Sequence, residues 1–244
     1  MTTQTFRTPS ATPVTVALTA PNLELSVEAV PGLTEATFHL SGPEEIVRQA
    51  IANAIDGAWI ITVPQPRTTV PAGSGMTVIA GDVYGGVVMS GGRTVINGVS
   101  MSGSAPAEPL RARLRIPQGS LVGTRIDNGS VTTSGELSGV HHQGRNSSLS
   151  VHSVGGLVAK STNGSVTVGR ASGEIDVETT NGTVFIGRTG PLTKARTTNG
   201  NVVVSAGSHG RITAQTTNGN VTVDKSGYRV NVTTHTTNGH DRVL

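Results

Sequence analysis

The sequence contains no cysteine and very few aromatic residues. One Trp, two Tyr and three Phe are present among 244 residues. Without cysteine the chain can form no disulfide, no thiolate zinc site and no thiol nucleophile. The shortage of aromatic side chains argues against an enzyme built around a large globular core, because such side chains usually dominate the burial in those cores.

Long apolar runs are also missing. No stretch approaches the roughly 18 apolar residues that a membrane-spanning helix requires. Residues 1–7 lack the basic segment followed by an apolar one that marks a signal peptide. We therefore expect a chain without a membrane span that is cytoplasmic as synthesised, and that is part of a larger particle or is released.

Motifs for cofactors and nucleotides are absent from the sequence. The glycine pairs at 85–86 and 91–92 precede strand or loop patterns, whereas a phosphate-binding glycine loop precedes a helix. No cofactor and no sequence-specific nucleic acid is expected. The net charge of +3 hides an asymmetry, since residues 1–109 carry 4 Lys/Arg and 8 Asp/Glu and residues 110–244 carry 14 and 7. A basic half attracts polyanions, although solubility alone also favours such charge.

A Thr-Asn-Gly motif recurs through the C-terminal half of the chain. Its asparagines are Asn163, Asn181, Asn199, Asn218 and Asn238, separated by 18, 18, 19 and 20 residues. Two degenerate copies precede them, at Asn128 and Asn146, with spacings of 18 and 17 residues. A fixed period of this size predicts stacked structural repeats that begin near Asn128.

Apolar side chains recur at fixed distances from each asparagine. The residues three and five after it are mostly Val, Leu or Ile, from Val131 and Thr133 to Val221 and Val223. Polar residues alternate with them, which is typical of half-buried strands. A second set of mostly apolar residues lies six and four positions before each asparagine. The pattern therefore predicts two short strands per repeat that face one core.

Two folds fit this pattern. Asn-Gly is the strongest signal for a hairpin turn, but it also suits a corner of a β-solenoid, where Gly adopts a left-handed conformation. If the repeats stack in register, Glu178 lies between Lys160 and Arg196, and Asp176 lies beside Lys194. Such opposite charges favour a parallel β-solenoid of about 18-residue coils over a string of hairpins. The seven asparagines would then form a ladder of hydrogen bonds, as would the Ser or Thr residues two positions before them.

The N-terminal region, residues 1–109, is predicted to be a β-rich cap on the solenoid of residues 110–244. Strand patterns occur within residues 12–40 and at 59–63, and one short helix is expected from Pro43 to Ile55. Residues 64–109 are rich in Gly, Ser and Pro, with short strand-like segments at 76–79, 83–89 and 94–101. An irregular coil, a hairpin and a flexible insertion all remain open for this stretch.

The chain resembles the bacterial "putative adhesin" β-strand-repeat family in three features. These are a short β-rich leader, the segment Ile-Pro-Gln-Gly at 116–119 and the repeated Thr-Asn-Gly-x-Val-x-Val coils. That family has no established function and resembles the head domains of auto-transporter adhesins. The resemblance implies an all-β, right-handed parallel β-helix. It transfers no catalytic residues to this chain.

Two groups of outward residues are candidate binding sites. Arg170, Arg188 and Lys225 lie seven residues after their asparagines, and this partly basic column could bind phosphate or sulfate groups, with ordinary solvated charge as the alternative. Phe185 and Val203 lie four residues after their asparagines. An exposed Phe beside Val is a candidate contact for a partner or a second subunit, unless a loop covers it.

Clusters that could support catalysis are weak. Glu174, Asp176 and Glu178 alternate on one strand face, and two of the three have cationic neighbours in the expected register. His142 belongs to a core-facing column, whereas His141 points outward. The sequence predicts no enzyme and no metal site.

The sequence favours a non-catalytic scaffold that binds a polymer, such as a glycan or another polyanion, or a protein surface. A self-assembling homo-oligomer is the main alternative, either a filament or an outer part of a particle such as a phage virion. A polysaccharide-active β-helix enzyme is the least favoured.

Overall fold

A computed structural model describes residues 1–10, 12–55, 57–64, 87–90, 93–96, 99–102 and 110–244 of the protein. The chain forms two compact units, one of Met1–Gln65 with Pro109–Leu244 and one of Pro66–Glu108. Strand is the dominant structure among the described residues, and one short helix is present among them. The protein is therefore all-β, as the sequence predicts.

The elements of the N-terminal part are β1 (Thr2–Pro9), β2 (Thr15–Val30), β3 (Glu35–Gly42), α1 (Glu44–Gln49), β4 (Ile51–Ile55) and β5 (Ala58–Thr62). The smaller unit contains β6 (Val87–Ser90), β7 (Arg93–Ile96) and β8 (Val99–Ser102), which pair antiparallel in that order. Of the three strand-like segments predicted in the Gly-rich stretch, the first, at 76–79, lies outside the described residues, as do parts of the second and the third.

The repeat region begins with β9 (Arg111–Pro117), β10 (Leu121–Gly144), β11 (Asn146–Ser161), β12 (Val166–Ala171) and β13 (Ile175–Asn181). It continues with β14 (Val184–Thr189), β15 (Leu192–Asn199), β16 (Val202–Ala206), β17 (Gly210–Asn218), β18 (Val221–Asp224), β19 (Val230–Asn238) and β20 (Asp241–Val243).

Successive repeats pair as parallel strands in one large sheet. Val166 on β12 pairs with Val184 on β14, and Ile175 on β13 pairs with Thr193 on β15, so each residue pairs with its equivalent one repeat later. The same parallel register continues to the pairing of Val221 with Asp241. A hairpin turn would have made neighbouring strands antiparallel, so the string of hairpins is wrong.

The core lies where the apolar periodicity predicts it. The residues three and five after the asparagines are buried from β10 to β18, and those six and four before them are buried from β10 to β17. The last repeat differs, because Val232 and Thr234 are only partly buried. Narrow Val, Ile and Ala side chains fill this core, which explains why the sequence needs so few aromatic residues.

The in-register stack begins earlier in the chain than Asn128. Strand β2 pairs parallel with β10 from Thr15–Leu121 to Glu28–Ser134, and Asn22 lies opposite Asn128. On its other side β2 pairs parallel with β5 and β9. The N-terminal region thus supplies a full repeat. The period does not reveal it, because 106 residues separate Asn22 from Asn128.

The predicted helix from Pro43 to Ile55 is too long. Helix α1 ends at Gln49, since Ala50 is extended, with φ −66° and ψ 139°. Strand β4 follows and pairs antiparallel with β5, around Gly57 at φ +78°. The β-branched Ile51 and Ile55 suit this strand, and the pairing available from β5 overrides the local helical spacing.

Antiparallel strands cover the first repeat on one side. Strand β3 pairs antiparallel with β9, and β1 pairs antiparallel with β3. Phe38 on β3 is completely buried and lies 6.1 Å from Phe6 on β1, measured between ring centroids. The two strands thus extend the sheet by antiparallel pairing and add no further repeat.

Candidate functional site

The asparagines form an unbroken hydrogen-bonded ladder. In each pair, Nδ2 of the later asparagine donates to Oδ1 of the earlier one, at 2.7 Å in six pairs and 2.8 Å in the last. The members are Asn22, Asn128, Asn146, Asn163, Asn181, Asn199, Asn218 and Asn238. Each inner side chain therefore donates once and accepts once along the stack. This confirms the predicted ladder and adds Asn22, which the sequence analysis missed.

The hydroxyl groups two positions before the asparagines bond differently from the prediction. Thr179 Oγ1 donates to the carbonyl oxygen of Gly164 at 3.0 Å, and Thr216 Oγ1 donates to that of Gly200 at 2.9 Å. The equivalent Ser161, Thr197 and Thr236 also donate to main-chain carbonyls of the preceding repeat. The hydroxyls thus satisfy buried carbonyls at the corner and do not bond to one another.

The glycines of the motif are needed for close packing between repeats more than for a left-handed backbone conformation. Of the five in the clear Thr-Asn-Gly motifs, only Gly219 has φ in the left-handed region, at +153°. A Cβ on Gly182 would overlap the carbonyl oxygen of Gly164, and one on Gly200 would overlap that of Gly182. The expected left-handed glycine corner is therefore wrong for most repeats, because contact between stacked corners is what excludes a side chain.

The charged outward column has the predicted register. Glu178 pairs with Lys160 on one side and with Arg196 on the other. The Nζ of Lys160 lies 3.5 Å from Oε2 of Glu178, while the Arg196 guanidinium donates to Oε1 of Gln215 at 2.8 Å and 3.1 Å. Asp176 likewise lies opposite Lys194. These carboxylates are neighbours of cations, and no group of three or more His, Asp or Glu residues among the described residues is arranged to hold a metal ion.

The arginines of β9 do not present a bare basic face. Arg111 donates to Glu24 at 3.0 Å, and Glu28 accepts from both Arg113 and Arg115. All three pairs join β9 to β2, which are neighbouring parallel strands. The sequence alone does not reveal these pairs, because the acidic partners lie more than 80 residues away along the chain.

Phe185 and Val203 lie side by side on the outward face of β14 and β16, as predicted. Phe185 is 44% exposed and Val203 is half-buried. Gly187 lies two residues after Phe185, and Gly169 lies beside it in the preceding repeat. The two glycines are in close contact, since a Cβ on Gly187 would be 2.8 Å from the carbonyl oxygen of Gly169. We call Phe185, Val203, Gly169 and Gly187 the Phe185 patch. Its glycines leave the aromatic ring open to solvent along the strand direction.

The predicted basic column at Arg170, Arg188 and Lys225 is interrupted. Arg170 and Arg188 are exposed, and Arg170 pairs with Ser153 of the preceding repeat. The register then shifts after Ile186, so that Ala206 pairs with Thr189 and is buried. Lys225 follows β18 in a turn and is only half-buried. The structure therefore places the two arginines beside the Phe185 patch and separates Lys225 from them.

His142 lies in the core, as its column predicts. Its side chain is 3% exposed, with Nδ1 at 2.8 Å from Thr124 Oγ1 and Nε2 at 3.1 Å from Ser147 Oγ. Burial lowers the pKa of His142 from 6.5 to about 4, because the charged imidazolium would lose its hydration. His141 is exposed on the opposite face of the strand. The two histidines cannot share a metal ion.

An open groove of about 360 Å³ lies on the outward face of β2, β10 and β11. We call it the Gly123 groove, because Gly123 contributes no side chain to its floor. The lining side chains that face solvent are those of Ala17, Thr19, Arg125, His141, Gln143, Val158 and Lys160. The sequence analysis did not find it. The one local signal is a glycine at an outward position of a strand.

Comparisons with known proteins agree with the fold. The chain is similar to the crystal structure of a "putative adhesin" from Bacteroides fragilis, with a TM-score of 0.60 and 13% identity over 100% of this chain and 97% of that one. A second "putative adhesin", from Parabacteroides distasonis, has a TM-score of 0.48 and 11% identity over 100% and 97%. No family model matches the sequence, and no curated protein is detectably similar to it. At the level of the fold, the family resemblance drawn from the sequence is confirmed.

Proposed function

We propose that the protein is a non-catalytic, adhesin-like scaffold that binds a polymer or protein surface through the outward faces of its sheet. The Bacteroides fragilis protein with the same fold is called a "putative adhesin", which is consistent with this role. No helix among the described residues is both long and apolar enough to cross a bilayer. Two of the three clustered carboxylates have cationic neighbours, since Glu178 lies 3.5 Å from Lys160 and Asp176 lies opposite Lys194, which favours a structural role for them over acid/base catalysis.

The proposal includes the finer architecture, a right-handed parallel β-helix of about 18-residue coils. Its support is the parallel register of each repeat on the next and the Asn ladder that crosses every repeat. Right-handed crossovers are the rule where parallel strands of one sheet are connected. Such a stack presents flat faces on which binding side chains repeat at the spacing of neighbouring strands, about 4.8 Å.

The observation that carries the binding role is the Phe185 patch. A large aromatic ring that is 44% exposed beside Val203 is costly to leave in water, and exposed apolar groups on flat surfaces mark interaction sites. The glycines beside it allow a flat partner to approach the ring. Arg170 and Arg188 add positive charge nearby.

Binding to surfaces tests this role. Purified protein is applied to an array of immobilised glycans and matrix proteins, together with the variants Phe185→Ser and Thr222→Ser. Thr222 lies in the same outward column, opposite Val203, and serves as the matched control. We expect wild-type protein and Thr222→Ser to bind the same spots, and Phe185→Ser to lose at least some of them. No binding by wild-type protein to any spot, or equal binding by Phe185→Ser, would reject the role assigned to this patch.

Self-association is the second candidate, and one observation favours it. Strand β19 pairs with β17 along one side, and among the described residues no strand pairs with its other side. An open parallel edge can accept another strand. Light scattering over a hundredfold concentration range tests this. A constant mass near the chain's own 24.9 kDa would eliminate self-association, whereas multiples of that mass would support it.

A further inference from the structure

The Gly123 groove is separate from the Phe185 patch and has a different chemistry. Its floor follows one outward column across neighbouring strands, where Ala17 pairs with Gly123 and His141 pairs with Val158. Val158 is 37% exposed, and Ile60, which pairs with Ala17, is 40% exposed. The floor is therefore shallow and partly apolar, made of small side chains between larger ones.

Polar and cationic side chains form one side of the groove. Arg125, Gln143 and Lys160 occupy the next outward column, two residues along the strands from the floor. Among the described residues, no carboxylate lines the groove. A neighbouring depression of about 200 Å³ contrasts with it, since that one is lined by Asp176 and Glu178 together with Lys194 and Arg196. The described lining of the Gly123 groove thus carries two cationic side chains and no acidic one, although Asp176 lies next to Val158 in the following repeat.

Arg125 is the cation available to a ligand. Lys160 is already 3.5 Å from Glu178, which neutralises part of its charge. Arg125 is exposed, and its guanidinium has no ion pair or hydrogen bond with any of the described residues. A guanidinium matches the two oxygens of a carboxylate in a bidentate pair. This favours an anionic ligand whose carboxylate lies at Arg125.

The shape of the groove decides what the rest of the ligand is. An acyl chain requires a deep, enclosed apolar channel, and this groove is open to solvent with a floor of only a few small side chains. A pyranose ring does not require an enclosed apolar channel, because one of its faces is apolar and its edges carry hydroxyl groups. Val158 and Ala17 suit the apolar face, and Gln143 and His141 offer hydrogen-bonding partners to hydroxyls.

We propose that the Gly123 groove binds an acidic sugar residue, a pyranose ring bearing a carboxylate, within a polysaccharide. The carboxylate pairs with Arg125, the ring lies over Ala17, Gly123 and Val158, and its hydroxyls contact Gln143 and His141. The volume of about 360 Å³ falls at the small end of the range for ligand sites. The groove thereby gives the scaffold a site with defined ligand chemistry.

Titration of the full chain with trigalacturonate, a short polyuronate, tests this site. Calorimetry measures binding by wild-type protein and by two groove variants, Arg125→Gln and Gly123→Val. The first removes the cation. The second fills the floor without disturbing the backbone, because a Cβ on Gly123 would lie 3.5 Å from the nearest atom, the Val16 carbonyl oxygen. We expect each variant to weaken binding about tenfold or more, the effect of losing a charge-assisted contact.

Matched controls separate this site from general attraction of polyanions. Arg211→Gln removes an exposed arginine elsewhere on the sheet, and Gly156→Val adds a side chain outside the groove, where a Cβ would be 3.6 Å from the nearest atom. Both controls should bind trigalacturonate as wild type does. The methyl ester of trigalacturonate, which lacks the charge, should not bind. Phe185→Ser should retain uronate binding, so failure at one site is distinguishable from failure at the other.

Three results would overturn the proposal. The first is no heat of binding by wild-type protein with trigalacturonate up to about 10 mM, a concentration that detects even weak sites. The second is equal weakening in Arg125→Gln and Arg211→Gln, which would indicate unspecific charge attraction. The third is equal binding of the methyl ester, which would remove the role of the carboxylate.

Discussion

Asn181 and Asn163 are joined by a hydrogen bond of 2.7 Å from Nδ2 to Oδ1 across two stacked repeats. Asn181 accepts the same bond from Asn199. A side-chain amide bonded on both sides is fixed in one orientation, because exchange of its oxygen and nitrogen would break both bonds. The ladder thereby links the register of each repeat to that of the next.

Replacing an inner asparagine should cost more than replacing the last one. Asn181→Ala removes two ladder bonds and leaves Asn163 and Asn199 each without one partner. Asn238→Ala removes one bond, to Asn218. At about 0.5–1.5 kcal/mol per hydrogen bond, we expect a loss of about 1–3 kcal/mol for Asn181→Ala and about half of that for Asn238→Ala. Urea unfolding followed by circular dichroism measures both, and equal losses would show that the ladder does not act along its length.

A side chain at a stacked corner should be poorly tolerated. Gly182→Ala would place its Cβ against the carbonyl oxygen of Gly164, where the two main chains are in contact. We expect a loss of about 2–4 kcal/mol in the free energy of unfolding, as for other substitutions that force the backbone to move. Gly156→Ala is the control, since its Cβ has space, and it should change stability by less than about 1 kcal/mol. A tolerated Gly182→Ala would contradict the close stacking of the corners.

Acid should destabilise the fold through His142. The pKa of His142 is about 4 in the folded protein and 6.5 when unfolded, so the unfolded chain binds the proton first as the pH falls. The stability is complete above pH 6.5 and decreases between pH 6.5 and about 4, by up to about 3 kcal/mol. Denaturant unfolding at several pH values measures this. His142→Gln should flatten the decrease, whereas His152→Gln, at an exposed position, should leave it unchanged. A wild-type curve that is flat over this range would be inconsistent with a buried neutral His142.

Removal of one whole repeat should leave a folded protein. Deletion of residues 181–198 brings Asn199 into the position of Asn181, and the two are already partners in the sheet. Because stacked repeats interact mainly with their neighbours, we expect retained β circular dichroism, a cooperative thermal transition and a modest loss of stability. Deletion of residues 181–189, half a repeat, is the control and should unfold the chain, since it breaks the register. A half-repeat deletion that is as stable as the full one would argue against repeat-by-repeat stacking.

The sequence predicts the repeat region well because its information is local and periodic. The positions of Val166, Val184 and Val202 in one buried column follow from a spacing that each repeat restates. The opposition of Lys160 and Glu178 follows from the same spacing. Where the period holds, residue number alone fixes which side chains are neighbours.

Only the tertiary structure decided the contacts between segments that share no period. Asn22 joins the ladder across 106 residues, Arg111 pairs with Glu24 across 87, and strand β4 forms where local spacing favours a helix because β5 offers a partner. The Gly123 groove belongs to the same class, since Ala17 and Gly123 meet only because β2 is inserted beside β10. The sequence by itself determined the stack and its ladder. The competition among distant strands for pairing partners decided how the stack begins and where its surface is open.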